Sequence, residues 1–343
     1  MRVVLVTMDT HVASTIDRAR VSLAKQIPGL SLNVHAASEF AADPAALKRC
    51  LDDIAQGDVI IATMLFMEDH FTPLLPALAA RRHDCDAMVC ALSAGEVTKL
   101  TRIGQFDMSA PANAAMALLK KLRGPRDKNA SSGANQMKML RRLPKILRFI
   151  PGTAQDVRAY FLALQYWLAG SEENMVNMVL YLVDRYADGP RRRLRGALKA
   201  MPPVEYPEVG LYHPRMATPI TEDAGKLPSP KGGYKATVGL LLMRSYALAR
   251  NAGHYDGMIA ALEARGLRVI PAFAAGLDAR PAIEAYFMRD GQPTIDAMVS
   301  LMGFSLVGGP AYNDASAAEE ILSRLDVPYI AAHPVDFPTM VEW

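Results

Sequence analysis

Cysteine is scarce. The three present, Cys50, Cys85 and Cys90, form no C-x-x-C pair. Their odd number sets aside a disulfide framework, and their spacing sets aside a cysteine zinc or redox site. They are expected to be reduced and buried. Long apolar runs are missing as well. Met175 to Val183 is interrupted by Asn177, and Val238 to Met243 is short, whereas a membrane-spanning helix needs about 20 apolar residues. The opening run Val3 to Val6 meets Asp9 before the apolar stretch of a secretory leader can build. A soluble, cytoplasmic protein is expected, with peripheral membrane contact left open. No G-x-x-x-x-G-K-[ST] phosphate loop occurs; Gly308-Gly-Pro is too short for one and reads as a turn after a strand. His11, His35, His70 and His83 lack H-x-x-x-H spacing, so no metal site is expected. Neither sign of charge dominates. The formal net charge is +3, too small to steer the chain toward nucleic acid.

What is present is apolar substance. Hydrophobic residues make up 51% and charged residues 21% of 343 residues, enough for a sizeable core in two or three domains. Strand and helix signals alternate over the first 110 residues or so. Arg2 to Thr7, Leu30 to His35, Val59 to Thr63 and Ala87 to Leu92 read as strands. Between them, Asp9 or Thr10 caps a helix carrying Val12, Ile16, Ala19 and Leu23 on one face, and Asp43-Pro44 opens another. Continuous apolar strands separated by helices predict a parallel sheet covered on both faces, here a flavodoxin-like domain over residues 1–125.

The rhythm then breaks. Lys120, Lys121, Arg123, Arg126, Lys128, Lys138, Arg141, Arg142, Lys145 and Arg148 face one acid, Asp127, around the small polar stretch Asn129-Ala-Ser-Ser-Gly-Ala. This predicts a linker leading into a basic helix, either a solvated face or a contact for acidic partners or anionic lipid. Val157, Tyr160, Phe161, Leu164, Trp167 and Leu168 keep a 3.6-residue period. Gly170 ends that helix, and Ser171 caps the next, with Glu172 and Glu173 in its first turn. Residues 126–190 are thus expected to form a linker and helical neck. Residues 191–235, with Arg191-Arg-Arg and repeated prolines from Pro202 to Pro230, are expected to be an irregular connection. Strand–helix alternation returns over 236–343, predicting a second parallel α/β lobe. The fold class is α/β: two parallel-sheet lobes joined by a helical neck and a long Pro/Gly-rich connection.

The second lobe also holds specific words. Val238-Gly-Leu-Leu-Leu-Met-Arg-Ser precedes Asn251-Ala-Gly-His-Tyr-Asp and Leu262-Glu-Ala-Arg-Gly-Leu-Arg-Val-Ile-Pro-Ala-Phe. Gly303-Phe-Ser-Leu-Val-Gly-Gly-Pro-Ala and Val327-Pro-Tyr-Ile follow. In this order they resemble the core shared by the large subunits of magnesium chelatase and aerobic cobaltochelatase. Gly95-Glu-Val-Thr-Lys-Leu-Thr-Arg-Ile-Gly-Gln-Phe is similar to a segment of the magnesium enzymes' N-terminal domain, which favours the porphyrin-binding H-type subunit over the cobalt one. The resemblance covers nearly the whole chain. Family members are several times longer, so a fragment, an isolated part or the product of an interrupted gene is expected, inactive by itself. Phe337-Pro-Thr departs from the Phe-Gln-Thr wording of the family. The resemblance implies Mg²⁺ and protoporphyrin IX as substrates, no tightly bound cofactor, and ATP supplied through I- and D-type motor subunits as partners. A two-lobed α/β protein that binds a small ligand without catalysis is the alternative from another class.

No catalytic residue is assigned within the chain. Porphyrin-binding candidates are Arg244 and Ser245, at the end of a predicted strand, and His254 just downstream, near a helix start. The planar fork of Arg244 suits a propionate, and the carboxyl edge of a parallel sheet is where ligands bind. The competing reading pairs Arg244 with an internal acid and gives His254 a carbonyl partner. Asp9, Glu68, Asp69 and Glu96 also follow predicted strands, as ligand contacts or as acids complementing helix dipoles. His333, beside Pro334, is equally open. The 19 methionines either line an adaptable apolar surface or fill ordinary core.

Overall fold

The computed structural model describes residues 1–8, 10–110, 142–230, 232–309 and 312–332. Asp9, the basic block up to Arg141, His333 and Phe337 lie outside them. The chain divides into two compact units, Met1–Val204 and Glu205–Trp343.

The first unit is built on a six-stranded sheet of order β2-β1-β3-β4-β5-β6. Strands β1 (Arg2–Thr7), β2 (Ser31–Ala36), β3 (Val59–Thr63) and β4 (Ala87–Ala91) are parallel. They are the four runs read from sequence, the second shifted by one residue. Beyond β4 the flavodoxin-like expectation gives way. Strands β5 (Arg102–Ile103) and β6 (Phe106–Asp107) are antiparallel, so the sheet is mixed. A parallel neighbour needs a crossover of about a dozen residues or more. The link from Ala91 to Arg102 holds only the short helix Gly95–Thr98.

Strand alternation sends side chains to two cores. Val3, Leu5, Val59 and Ile61 face one side, where Ile16, Ala19 and Leu23 of the helix Ala13–Gln26 cover them. Val4, Val6, Ile60 and Ala62 face the other, under Ala46, Cys50 and Ile54 of the helix Pro44–Gln56. That helix starts as its sequence dictates: the Asp43 carboxylate accepts the Ala45 N–H at 2.9 Å, and Pro44 occupies the first position.

The helices Thr153–Ala169 and Glu172–Tyr186 are as expected in extent. Gly170 ends the first in the left-handed conformation, and Ser171 caps the second. They are not a neck, however. They share the first sheet's core, with Val157, Phe161, Leu164 and Trp167 clustered with Val3 and Leu5. Burial on nearly every side of Thr153–Ala169 marks it as an interior helix. The 3₁₀ segment Gly189–Leu194 is fastened to the amino edge of the sheet. Arg191 grips Asp86 with Nε and Nη2 at 3.0 and 2.9 Å, and its Nη1 lies 3.3 Å from Asp58. Residues 142–147 are helical, with Leu143 and Leu147 buried and Arg142, Lys145 and Arg148 exposed.

The second unit holds a six-stranded sheet of order β16-β13-β9-β10-β7-β8. β9 (Thr237–Met243), β10 (Arg268–Ala274), β13 (Ala297–Ser300) and β16 (Tyr329–Ala331) are parallel. β7 (Val209–Tyr212) and β8 (Ile220–Thr221) add an antiparallel edge, so this sheet is mixed too. These two strands fall inside the stretch expected to be irregular. Two ribbons, β11–β12 (Met288–Arg289, Gln292–Pro293) and β14–β15 (Gly308–Gly309, Tyr312–Asn313), stand apart from it. The expected turn at Gly308 is therefore a short strand.

Candidate functional site

In the second sheet β9 is flanked by β13 and β10, and the chain leaves β9 directly into the helix Arg244–Leu248. The carboxyl end of β9 thus lies at a reversal of strand order, the usual ligand edge of an open α/β sheet. Arg244, the first residue past the strand, is 9% exposed. Its Nε donates to the Pro207 carbonyl at 2.8 Å, and Nη2 donates to the Tyr206 carbonyl at 3.1 Å. These two acceptors are backbone oxygens of the segment entering β7. Ser245 follows with a buried Oγ that finds no partner among the described residues. A buried hydroxyl without a partner costs on the order of 1–3 kcal/mol, so the position invites a ligand atom or water.

His254 reaches the same edge from the helix Gly253–Glu263. The hydroxyl of Tyr255 accepts the Met243 N–H at 3.0 Å, which ties the start of that helix to the end of β9. The His254 ring lies 3.9 Å from the Tyr255 ring, centroid to centroid, and meets Tyr246 edge-on at 5.4 Å. Loss of hydration against these rings lowers the His254 pKa, while Asp256 opposes the shift. The structure therefore brings Arg244, Ser245 and His254 to one strand end. The aromatic bracket of Tyr246 and Tyr255 was not read from the sequence; its signal was the Tyr-x₇-His-Tyr spacing across the strand–helix turn.

His213, also unremarked in the sequence, is fully buried. Its Nδ1 accepts the Arg215 N–H at 3.2 Å, so Nε2 carries the proton and donates to Glu263 at 3.2 Å. Arg215 pairs with the same carboxylate at 2.6 Å. This is a structural clasp.

In the first unit, Glu68, Asp69 and Glu96 are exposed in the first turns of short helices, as dipole-complementing acids would be. His35 lies 2.9 Å from Asp53, which also binds Arg2. His11 is held neutral, its pKa lowered to about 4 by burial. No group of three histidine, cysteine or acidic side chains is arranged for a metal ion among the described residues. All three cysteines are buried and free, and burial raises their pKa values, that of Cys85 to about 11. No described helix is long and apolar enough to cross a membrane.

The chain is thus an α/β protein of two units, and in the second a hydroxyl, a bound guanidinium and a ring-packed imidazole stand at one strand end. The sequence assigns the chain more narrowly. Residues 164–343 match the family described as CobN/Magnesium Chelatase, and residues 2–161 match a domain of unknown function, DUF3479. The chain belongs to the CobN/magnesium chelatase family. It is 52% identical over 341 residues to the magnesium-chelatase H subunit of Cereibacter sphaeroides, covering 99% of this chain and 28% of that protein. To the magnesium-chelatase H subunit of Rhodobacter capsulatus it is 48% identical, with the same shares covered. To the chloroplastic ChlH protein of magnesium chelatase from Oryza sativa subsp. indica it is 35% identical over 88% of this chain and 22% of that one. The chain thus spans about a quarter of the length of the curated relatives it matches.

Proposed function

We propose that this chain is the N-terminal portion of a magnesium-chelatase H subunit, the porphyrin-handling component of (bacterio)chlorophyll synthesis. The observation that carries this reading is 52% identity across 99% of the chain to such a protein. In the whole assembly, Mg²⁺ enters protoporphyrin IX as the pyrrole N–H protons leave. Both metal and porphyrin are substrates. Mg²⁺ gives up its water reluctantly, so the reaction is coupled to ATP. Separate I- and D-type motor subunits supply that coupling in the proposal, consistent with the lack of a phosphate loop in this sequence. The proposed setting is cytoplasmic, with no nucleic acid as partner.

Within this portion, the proposed porphyrin contacts are Ser245 and His254, with Arg244 shaping the edge. A porphyrin brings a broad apolar face and two propionates. The face packs against the ring cluster at Tyr246 and His254, and the Ser245 hydroxyl donates to a propionate. Arg244 spends part of its guanidinium on the Tyr206 and Pro207 carbonyls, which makes it first a positioning residue. Titration with protoporphyrin IX, followed by the Soret band and by tryptophan quenching, tests the reading. Saturable binding weakened by Ser245→Ala and His254→Ala is expected. A protein that gives no saturable change, or binding indifferent to both variants, refutes the proposed contacts.

A further inference from the structure

The first unit contains a cleft of about 390 Å³ lined by Gly104, Gln105, Gly152, Asp156, Arg185, Tyr186 and Arg195. That volume is at the small end of ligand pockets, about 300–1,000 Å³. Its floor is Asp156, whose side chain is 12% exposed. One carboxylate oxygen accepts the Gln105 N–H at 2.9 Å. The other accepts the Tyr186 hydroxyl at 2.8 Å and lies 3.3 Å from Arg185 Nη2. Burial first, and then the charge of Asp156, push the Tyr186 phenol far above its usual range, so it remains a donor. Asp156 is therefore saturated and neutralised by groups of its own unit.

The guanidinium groups are not saturated. Arg185 uses Nε on the Tyr186 hydroxyl at 3.0 Å and Nη2 on Asp156, leaving Nη1 without a protein partner among the described residues. Arg195 is exposed and makes no ion pair with a described residue. Its Nε donates to the Arg185 carbonyl at 2.7 Å, which fixes the direction of the fork. The loop that carries it is also held. Asp184 accepts the Gly196 N–H on its backbone oxygen at 3.0 Å and the Leu198 N–H on its carboxylate at 2.8 Å. The lining thus carries two arginines against one acid, a net charge of +1. Gly152, at the start of the helix Thr153–Ala169, leaves open space where a Cβ would stand, and no side chain caps that helix. Its positive dipole end adds to the same field.

We propose that this cleft is a binding site for a small oxyanion, a carboxylate or phosphate group held between Arg185 and Arg195. The fork of a guanidinium matches either group through paired N–H donors. Binding here bridges the two helices and the turn that precedes β6, so a ligand stiffens the cover of the first sheet.

The test is titration of the full 343-residue chain with inorganic phosphate and, separately, with succinate. Both are run at constant ionic strength, following the arginine Nε–H signals by NMR. Saturable shifts of Arg185 and Arg195 are expected with at least one of the two, and the stronger binder identifies the group. Arg195→Glu, at an exposed position, should weaken binding at least tenfold. Arg185→Lys keeps the charge but loses the fork, and should weaken it several-fold. Arg193→Glu makes the same charge change at an exposed position outside the cleft and should leave affinity within twofold. Equal losses in Arg193→Glu and Arg195→Glu would reduce the effect to general surface charge and overturn the site. Absence of saturable shifts with both anions overturns it as well. If Arg185→Lys does not fold, the pair at 193 and 195 still decides.

Discussion

Gly104 offers a clean measurement of how the cleft is held. It lies in the two-residue turn between β5 and β6 with φ +55°, and a Cβ built there would meet the Asp156 carboxylate at 2.5–2.8 Å. Alanine at this position incurs two costs. The left-handed backbone costs about 1–2 kcal/mol. Displacing Asp156 disturbs bonds to Gln105, Tyr186 and Arg185, and a hydrogen bond to a charged group is worth about 1.5–3 kcal/mol. A total of about 3–5 kcal/mol follows for Gly104→Ala. Gly29 is the control. Its φ is +78° and a Cβ there meets nothing within 4 Å, so Gly29→Ala should cost only the backbone part. The assay is urea unfolding followed by the fluorescence of the buried Trp167, with Trp343→Phe as background. With m of about 2–3 kcal/mol/M, the two midpoints should differ by about 1 M. In an Asp156→Ala background the excess cost of Gly104→Ala should vanish, as a double-mutant cycle would show. Equal midpoint shifts for the two single variants would refute the argued contact.

Other outcomes follow from the same structure. Arg244→Ala strips donors from the Tyr206 and Pro207 carbonyls. It should lower stability by about 2–4 kcal/mol and weaken protoporphyrin binding by up to about tenfold, with Arg244→Lys recovering part of both. A folded variant that binds as tightly as the parent places the pocket elsewhere. Acid should destabilise the first unit. His11 has a folded pKa of about 4 against an unfolded value of 6.5, so between those pH values the unfolded chain binds the extra proton. The stability associated with neutral His11 is full above pH 6.5 and is lost as pH falls toward 4, by at most about 3 kcal/mol. A His11→Gln variant should show a flatter urea midpoint against pH over that window, and an unchanged slope contradicts the assignment. The cysteines, buried with raised pKa values, should react with a thiol reagent only as fast as the protein opens, so prompt native-state labelling would be inconsistent with the packing. Combined with motor subunits and ATP, the chain should form no Mg-protoporphyrin above a control lacking it; product above that control refutes the expectation.

Where the chain obeys local rules, the sequence was enough. The strands at 2–7, 59–63 and 237–243 are each built on a short apolar run, and the caps at Asp43 and Ser171 are side-chain hydrogen bonds that need only the right residue in the right place. Where partners are distant, it was not. β7 and β8 have four and two residues among prolines, and only the pairing of β7 with β10 and of β8 with β7 makes them strands. Arg244 is one residue past a strand, as read, but its acceptors lie 37 and 38 positions earlier in the chain. No periodicity points there. The cleft at Asp156 draws on residues near 104, 152, 185 and 195; Gly104 and Gln105 stand in the segment Gly95 to Phe106, but nothing in that segment points to its partners about 50 to 90 positions later.

The helix Thr153–Ala169 shows why family boundaries and folding units need not coincide. The two matched families meet between residues 161 and 164, inside this one helix. Physically nothing separates there. Phe161, Leu162, Ala163 and Leu164 are all buried in the core that contains Val3, Leu5 and Val59, and the compact unit runs on to Val204. The anchors are spread along the same span. Arg18 reaches Glu172 at 2.9 Å, Asp156 binds the turn at Gln105, and Arg191 grips Asp58 and Asp86. Each contact joins a residue of the first matched segment to the second, or ties the helix that spans both to the sheet. The cleft is lined in the same way, with Gly104, Gln105 and Asp156 from one segment and Arg185, Tyr186 and Arg195 from the other. The first sheet and its helical cover therefore act as one cooperative body, and a site at their junction exists only where both matched segments are present together.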